Sequence, residues 1–427
     1  MVPDRSSLSR REYVRALVAA GGASALSACL DAVGDDDAAA VDVPSGADDP
    51  STLPDRQHAW NDVLTTDGDG NVLLPEHHAL VALSLREGPD EAARETTETA
   101  FRALERAYEW SNEGLVFTVG YTPRYFARYD ESLPEAIDLP DPVALTDRED
   151  PEFDEFDAVV HLASDRPEVV LEAEEGLLGE REAVNGVDLE ADLSGVFERL
   201  EEHRRTGFVG DGLPAQQTDL SGVPESIHEE APFFMGFRSG FRESQASEDR
   251  VTISEGPFAG GTTQQLSSMD LQLEVWFEQD NHYQRVSKLF SPEHAEEGLV
   301  GEFGETLETS SALTDDRIEA TEADARGRGV VGHAQKAARA REAGNPLLLR
   351  RDFNTVDGDR PGLHFLSLQR EIDEFVRVRE AMNGDDLDVP SANNGILHYI
   401  FVNRRGNYLL PPRALRALPP ANPDSGA

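Results

Sequence analysis

The sequence predicts an α+β fold built from two ferredoxin-like domains packed sheet to sheet. In the first half, apolar segments and amphipathic segments follow one another in the order β-α-β and again β-α-β, which is the order of a split βαβ unit. The second half repeats this order more loosely. Two such domains leave a wide groove on one of them, and such a groove suits a flat cofactor.

The elements of the first half are predicted from apolar content and periodicity. Phe101, Leu104 and Tyr108 recur at helical spacing, whereas the neighbouring strand segments are nearly continuous apolar runs. A fourth strand is expected before residue 210. The other predicted elements are strands over residues 79–85, 115–121 and 158–163 and helices over residues 90–110 and 167–178.

In the second half, residues 271–277 are predicted to form a half-buried strand, because Leu271, Leu273, Val275 and Phe277 alternate with the residues between them. Asn383-Gly384 is expected to end a helix as its C-cap. The remaining predicted elements are strands over residues 346–350, 362–369 and 398–402 and a helix over residues 369–383.

The composition is strongly acidic. The 427 residues contain 83 Asp and Glu against 38 Lys and Arg, which gives a formal net charge of -45. The excess is spread along the chain, so adaptation to concentrated salt explains it better than an acidic interaction tail does. A nucleic-acid partner is disfavoured because phosphate contacts require basic patches.

The N-terminal segment predicts export. Arg10 and Arg11 precede an uncharged apolar run over residues 16–28, which is too short to span a bilayer and resembles a twin-arginine signal. The run ends at Cys29, as in a lipoprotein box, so Cys29 is the predicted lipidation site. The expected location is the outer face of the cell membrane, reached by the twin-arginine route. The alternative is an accidental arginine pair. Since Cys29 is the single cysteine, no disulfide can form within the chain.

Five segments, in order, resemble motifs of the dye-decolourising (DyP-type) peroxidases and together cover about residues 75–405. They are Gly114–Gly120, Phe156–Leu162, Gly236–Gly240, His333 with Asn345–Arg350, and Gly362–Gln369. The resemblance implies haem b in the C-terminal domain, with hydrogen peroxide and a bulky reducing substrate as partners, and it leaves a homo-oligomer open. The resulting division is a signal over residues 1–29, an acidic disordered linker over residues 30–56, an N-terminal domain over residues 57–225 and a haem-binding domain over residues 226–427.

For the site, the resemblance implies that His333 binds the haem iron and that Arg350 lies on the distal side. Arg351 is the alternative, although a strand would point it to the opposite face. Taken alone, His333 also fits a structural histidine, and Arg350 fits an ion pair. Further residues implied to contact the cofactor are Gly236, Phe237, Arg238, Gly240 and Phe365.

One position departs from the family pattern. The fourth residue of the G-F-x-D-G loop, which is the catalytic aspartate in the family, is Ser239 here. A hydroxyl cannot act unaided as the general base for a bound peroxide. Candidates to replace the carboxylate are Asp352, Asn354, Arg242 and Glu243. Two competing functions follow: a haem-binding lipoprotein without peroxidase chemistry, and a surface lipoprotein that has lost haem.

The other histidines show no known metal-ligand spacing. The pair His77-His78, together with His228 and His294, is therefore expected on the surface. His364 is expected in the core or groove, with a minor alternative role as axial ligand. The sequence contains no phosphate loop, no G-x-S-x-G elbow and no CxxC pair.

Overall fold

A computed structural model describes residues 43–423. The twin-arginine segment, Cys29 and residues 30–42 of the predicted linker lie outside the described residues. Among residues 43–423, no helix has the length and apolar character needed to cross a membrane.

The first half of the described chain alternates strands with helices, as predicted. Its elements are β1 His77–Leu85, α1 Glu91–Ala107, β2 Val116–Tyr121, α2 Pro123–Phe126, β3 Glu152–Phe153, β4 Ala158–Ser164, α3 Pro167–Leu177, β5 Ala183–Val184, β6 Val187–Asp188, β7 Phe197–Arg199 and β8 Arg205–Phe208.

The second half inserts several short helices between its first two strands. Its elements are α4 Glu248–Val251, β9 Thr262–Leu271, α5 Leu273–Gln279, α6 His282–Leu289, α7 Pro292–Glu297, α8 Asp315–Glu319, α9 Thr321–Arg328, α10 His333–Ala338, β10 Leu349–Arg350, β11 Phe353–Thr355, β12 Gly362–Gln369, α11 Ile372–Asn383 and β13 Ile400–Leu410.

The principal strands form two antiparallel sheets with the same arrangement. The orders are β8-β1-β4-β2 and β11-β12-β9-β13, so the first and third strands of each half are central. The sheets join along both edges, where Tyr121 of β2 pairs with Leu409 of β13 and Asn354 of β11 pairs with Phe208 of β8. The α+β fold class is thus confirmed, and the two facing sheets also close into a ring of eight strands.

The core has one layer outside the N-terminal sheet and another between the sheets. Helices α1 and α3 cover the outer face, where Val81 and Val160 are buried with Phe101. The alternate residues point inward, and Leu80 of β1 packs in one cluster with Leu366 of β12. The period-two alternation of each strand therefore separates the two layers.

Several histidines that the sequence placed on the surface are buried, and one of them, His78, lies between the sheets. His77, His78 and His294 are all buried, so that prediction is wrong for them, whereas His228 is partly exposed. His78 Nδ1 lies 2.9 Å from His161 Nε2, and the His78 ring stacks 4.3 Å from the ring of Phe353. These side chains pack as core residues because ring stacking and the mutual hydrogen bond satisfy much of their surface.

Two predicted elements of the second half differ from the structure. Residues 271–277 are not a strand: β9 ends at Leu271 and α5 begins at Leu273, with Leu273 and Trp276 buried at a spacing of three. An apolar run this short fits both periods. The last strand starts at Ile400 and continues to Leu410, paired with β9 along its length. Arg404 and Arg405, which break its apolar pattern, form ion pairs.

The first described residues contradict part of the predicted linker. The N–H groups of Gly46 and Ala47 donate to the carbonyls of Arg106 and Glu105, both at 3.1 Å. Residues 43–56 are therefore packed on α1 and the folded body rather than extended as a tether. The predicted domain boundary after residue 225 falls within the connection between β8 and β9.

Asn354 stabilises the edge where the two sheets meet. Its Nδ2 donates to the carbonyls of Phe208 and Pro232, and its Oδ1 accepts from the N–H of Phe234 at 3.0 Å. Asn354→Ala leaves these buried groups unsatisfied and should lower the free energy of unfolding by about 2–4 kcal/mol. The measurement is the midpoint of urea denaturation. The exposed Asn403→Ala serves as control and should change it little; equal shifts would contradict this role.

The buried histidines predict a pH dependence of stability. Burial lowers the pKa of His58 and of His161 to about 3, so the unfolded chain binds more protons than the folded one between roughly pH 3 and 6.5. Stability should therefore fall as the pH decreases through this range. His161→Gln should weaken this dependence, which is measured as the difference between the urea midpoints at about pH 5 and about pH 7. The control is His398→Gln, which changes an exposed histidine and should leave the dependence as it is. Parallel pH profiles for all three proteins would refute it.

Candidate functional site

A cavity of about 1390 Å³ lies on the outer face of the C-terminal sheet, between that sheet and helices α10 and α11. This volume exceeds the roughly 300–1,000 Å³ of ordinary small-molecule pockets. Ser267, Met269 and Phe365 contribute the sheet side, because they alternate with the residues that face between the sheets. Much of the remaining wall is apolar and includes Leu289, Phe290, Leu347, Leu348, Phe375 and Met382.

His333 lines this cavity from the first residue of α10. Its position is fixed by two glycines. A Cβ on Gly332 would collide with the carbonyl of Phe290, and Gly395, at φ +73°, packs directly against the backbone of His333. Because glycine has no Cβ, the segments that contain Phe290 and Gly395 can approach the start of α10 closely at His333.

The ring of His333 is neutral at physiological pH. Burial lowers its pKa to about 3, and the positive charges of Lys336, Arg350 and Arg379 add to this effect. Within residues 43–423, its buried Nδ1 has no hydrogen-bond partner. A neutral imidazole at a cavity wall has a free lone pair, which is the form in which histidine binds a metal. The acceptor that usually orients such a ligand is not provided by the described residues.

Residues 350–354 alternate between two environments. Arg350, Asp352 and Asn354 line the cavity. Arg351 instead stacks 4.2 Å from the ring of Trp60 and donates to the carbonyl of His58, while Phe353 packs against His78. Of the two candidate arginines, Arg350 therefore lies at the cavity and Arg351 does not.

The glycine-bracketed loop forms another part of the wall. Phe237, Arg238 and Ser239 line the cavity, while Gly236 and Gly240 supply left-handed backbone angles of φ +86° and +82°. The guanidinium group of Arg238 donates to Asp211 at 2.7 Å. The hydroxyl of Ser239 is exposed and forms no hydrogen bond to any residue in the range 43–423. The loop is therefore at the site, but it brings no carboxylate to it.

Gln245 connects this loop to the strand that carries Arg350. Its Oε1 accepts from the N–H of Arg350 at 2.7 Å, and its Nε2 donates to the carbonyl of Gly240 at 3.1 Å. Gln245 was not predicted from the sequence, and no local pattern marks it, because both of its contacts are to backbone groups of other segments.

A segment from the first half also reaches the cavity and was missed for the same reason. Residues 145–150 line it, and Glu149 accepts from Arg379 at 2.6 Å and from Arg405 at 2.9 Å. These arginines keep the pKa of Glu149 below its usual value, although burial opposes them. A hydrogen bond from Nδ2 of Asn383 to the carbonyl of Leu145 further fixes the segment.

The cavity is rich in arginine although the chain is acidic. Among the described residues, neither Arg148 nor Arg341 forms an ion pair, and the buried Nη1 of Arg379 has no partner. The six arginines that line the cavity are Arg148, Arg238, Arg341, Arg350, Arg379 and Arg405. Unpaired guanidinium groups favour a ligand with carboxylates. Apolar walls, a neutral histidine and these arginines together fit haem, which is flat, carries two propionates and takes an axial imidazole.

Comparison of the sequence with family models gives one match. The model described as "Family of unknown function (DUF7405)" matches residues 75–412. The chain belongs to this family. No curated protein sequence matches that of the chain.

Solved structures similar to this DUF7405 chain include DyP-type peroxidases. One from Streptomyces coelicolor has a TM-score of 0.56 at 19% identity and covers 80% of this chain and 89% of its own. A dye-decolourising peroxidase from Bacteroides thetaiotaomicron has a TM-score of 0.54 at 13% identity, and the match covers 84% of this chain and 99% of that protein. Ferric DtpA from Streptomyces lividans has a TM-score of 0.54 at 19% identity, and the match covers 80% of this chain and 90% of that protein. The DUF7405 chain therefore has the DyP-type fold.

The described residues provide no competing metal centre. Within residues 43–423, no group of three or more His, Cys, Asp or Glu side chains is arranged to hold a metal ion. His364, the alternative axial ligand, bonds to Ser268 at 3.0 Å and packs against Phe353 on the side between the sheets. Of the histidines considered as haem ligands, only His333 lines the cavity.

The ion pairs of Glu149 predict a stability effect. Glu149→Gln removes the carboxylate from two largely buried arginines and should lower the free energy of unfolding of the apoprotein by about 3–5 kcal/mol. The measurement is urea denaturation without added ligand. The matched control is Glu152→Gln, whose pair with Arg404 is solvent-exposed on the glutamate side and should contribute at most about 1 kcal/mol. A larger loss in the control would rule this out.

Proposed function

We propose that this protein binds haem in the cavity, through His333, and uses it for hydrogen-peroxide-dependent oxidation of a bulky substrate. The observation that carries the proposal is a neutral, buried histidine on the wall of a cavity that also contains six arginines, of which Arg148 and Arg341 form no ion pair among the described residues. The DyP-type fold supports it at the level of architecture. The ferric state belongs to the Streptomyces lividans protein and supports iron here by analogy.

Each group of cavity residues has a separate role in the proposed function. Haem, when bound, supplies the electrons that reduce peroxide. His333 would hold the iron with its neutral ring, while the cationic side chains of Arg148, Arg341 and Arg379 would hold the propionates. Arg350 would stabilise negative charge on bound peroxide, because its guanidinium group is close to a single carboxylate, at 3.8 Å. The apolar wall, including Phe365 and Phe237, would exclude water from the site.

A second candidate function is haem binding without peroxidase chemistry. Ser239 supports it, since the loop position that carries the catalytic aspartate in DyP-type peroxidases has only an exposed hydroxyl here. In that case, the cavity would serve haem handling and Arg350 would have only an electrostatic role.

The proposed location is the outer face of the cell membrane, with export by the twin-arginine route and a lipid anchor on Cys29. Arg10, Arg11, the apolar run and Cys29 support it as a sequence pattern. A folded, cofactor-loaded protein suits this export route.

Hemin titration tests the proposal. The protein, in concentrated salt, should give a Soret band that saturates at one hemin per chain. His333→Ala should weaken hemin binding at least about tenfold, since even groups that only support a ligand contribute this much. The control is His398→Ala, because His398 is the other histidine at the cavity and is exposed.

Absence of a Soret band in the wild type, or equal binding by His333→Ala, would overturn haem binding. If haem binds, added peroxide separates the two functions. A rapid spectral change followed by oxidation of an aromatic reductant supports the peroxidase, and an unchanged spectrum supports the non-catalytic protein.

A further inference from the structure

We propose that Asp352 is the proton-transfer group of the cavity and replaces the carboxylate that the loop lacks at Ser239. This inference rests on the proposed function, because it assigns the acid–base step of that same site. It changes which of the two candidate functions the site favours: with Asp352 in this role, peroxidase chemistry does not require an aspartate at position 239.

Five acidic residues line the cavity: Asp147, Glu149, Asp150, Asp352 and Asp385. Asp147, Asp150 and Asp385 are exposed, so water would compete with any proton they exchange. Glu149 is occupied by Arg379 and Arg405. Asp352 alone is both buried, at 8% exposure, and free of a close ion pair.

Asp352 lies beside Arg350 on the wall of the cavity. Asp352 and Arg350 are two residues apart and share the cavity face of the chain. Oδ1 accepts a hydrogen bond from the N–H of Leu366 at 3.2 Å, which holds the carboxyl group in place. Oδ2 lies 3.8 Å from Nη1 of Arg350, which is too long for a hydrogen bond. A small molecule with an O–H group can therefore interact with Oδ2 and with the guanidinium group together.

The protonation equilibrium of Asp352 is compatible with this role. Burial raises its pKa to about 6, against the opposing effects of Arg350 and the Leu366 hydrogen bond. Both forms are therefore accessible near neutral pH, as a group that accepts and returns a proton requires. The Ser239 hydroxyl has no such equilibrium in this range.

The step itself is a proton transfer. A weak acid H–X that enters the cavity gives its proton to Oδ2, so that the carboxylate becomes a carboxylic acid and X⁻ remains beside Arg350. For hydrogen peroxide, X⁻ is the hydroperoxide anion. The proton stays on Asp352 and would be available to the terminal oxygen, which takes it up and leaves as water. Haem, when bound, would supply the two electrons that cleavage of the O–O bond requires.

Hydrogen cyanide is the probe for the loaded protein, because it binds haem iron as an anion and must lose its proton. In stopped-flow measurements, the wild type should bind cyanide with a rate that depends on pH, with a midpoint near 6. Asp352→Asn should slow binding at neutral pH by at least about tenfold and abolish that midpoint. Asp385→Asn is the matched control, since it removes an exposed carboxylate from the same cavity.

Two further variants separate loss of the proton acceptor from loss of structure. Asp352→Glu keeps a carboxyl group and should retain the pH midpoint. Ser239→Asp in the Asp352→Asn background should recover much of the rate by restoring the carboxylate to the loop. Equal hemin affinity across the set establishes that the cavity is intact.

A readout on the apoprotein is independent of haem. Infrared difference spectra across about pH 5 to 7 should show a buried carboxylic acid band that is missing in Asp352→Asn. If hemin does not bind, the proposed function fails, whatever this band shows. If hemin binds and Asp352→Asn takes up cyanide within about twofold of the wild-type rate, or the band is unchanged in that variant, only the Asp352 assignment is overturned.

Discussion

The alternation of side chains along residues 350–354 connects the core of this protein to its cavity. Arg351 and Phe353 point between the two sheets, where they stack on Trp60 and His78. Arg350 and Asp352, on the other face of the same short segment, point into the cavity. The inward side chains are locked by ring contacts and hydrogen bonds, which fixes the backbone that carries the outward ones. The carboxyl group of Asp352 is held in addition by the N–H of Leu366.

The same segment also joins the two halves of the chain. Asn354 pairs with Phe208 at the sheet edge and bonds to the carbonyl of Pro232, near the start of the loop that contains Ser239. Gln245 then links that loop to Arg350. The cavity wall is thus assembled from backbone contacts between distant segments. This explains why the site depends on the closure of the strand ring rather than on one domain alone.

The cavity is rich in positively charged side chains, although the whole protein has a large negative net charge. A chain with a formal net charge of -45 surrounds a cavity with several arginines, two of which share the carboxylate of Glu149. Dissolved salt screens exposed charges more than buried ones. The arginines in the cavity can therefore keep their attraction for a dianionic ligand, while the acidic surface controls solubility.

The sequence by itself determined the α+β class, the positions of most principal strands, the acidic character and the identity of His333 and Arg350 as candidates. These features depend on local periodicity, composition and ordered short motifs, which a single chain displays directly. It did not determine the end of β9 or the helix at 273–279, because a short apolar run fits both periods. It also misjudged the buried histidines, since polar residues give no sign of burial before their partners are known.

Only the tertiary structure decided which side chains meet. Glu149 and Asp352 line the cavity and Gln245 supports its wall, and each is held by a hydrogen bond to a segment distant from it in the sequence. The choice of Arg350 over Arg351 likewise depended on which face of a short strand looks outward. The local sequence shows that side chains alternate along such a strand. Which of the two sets points into the cavity is decided by the packing of Phe353 and Arg351 between the sheets.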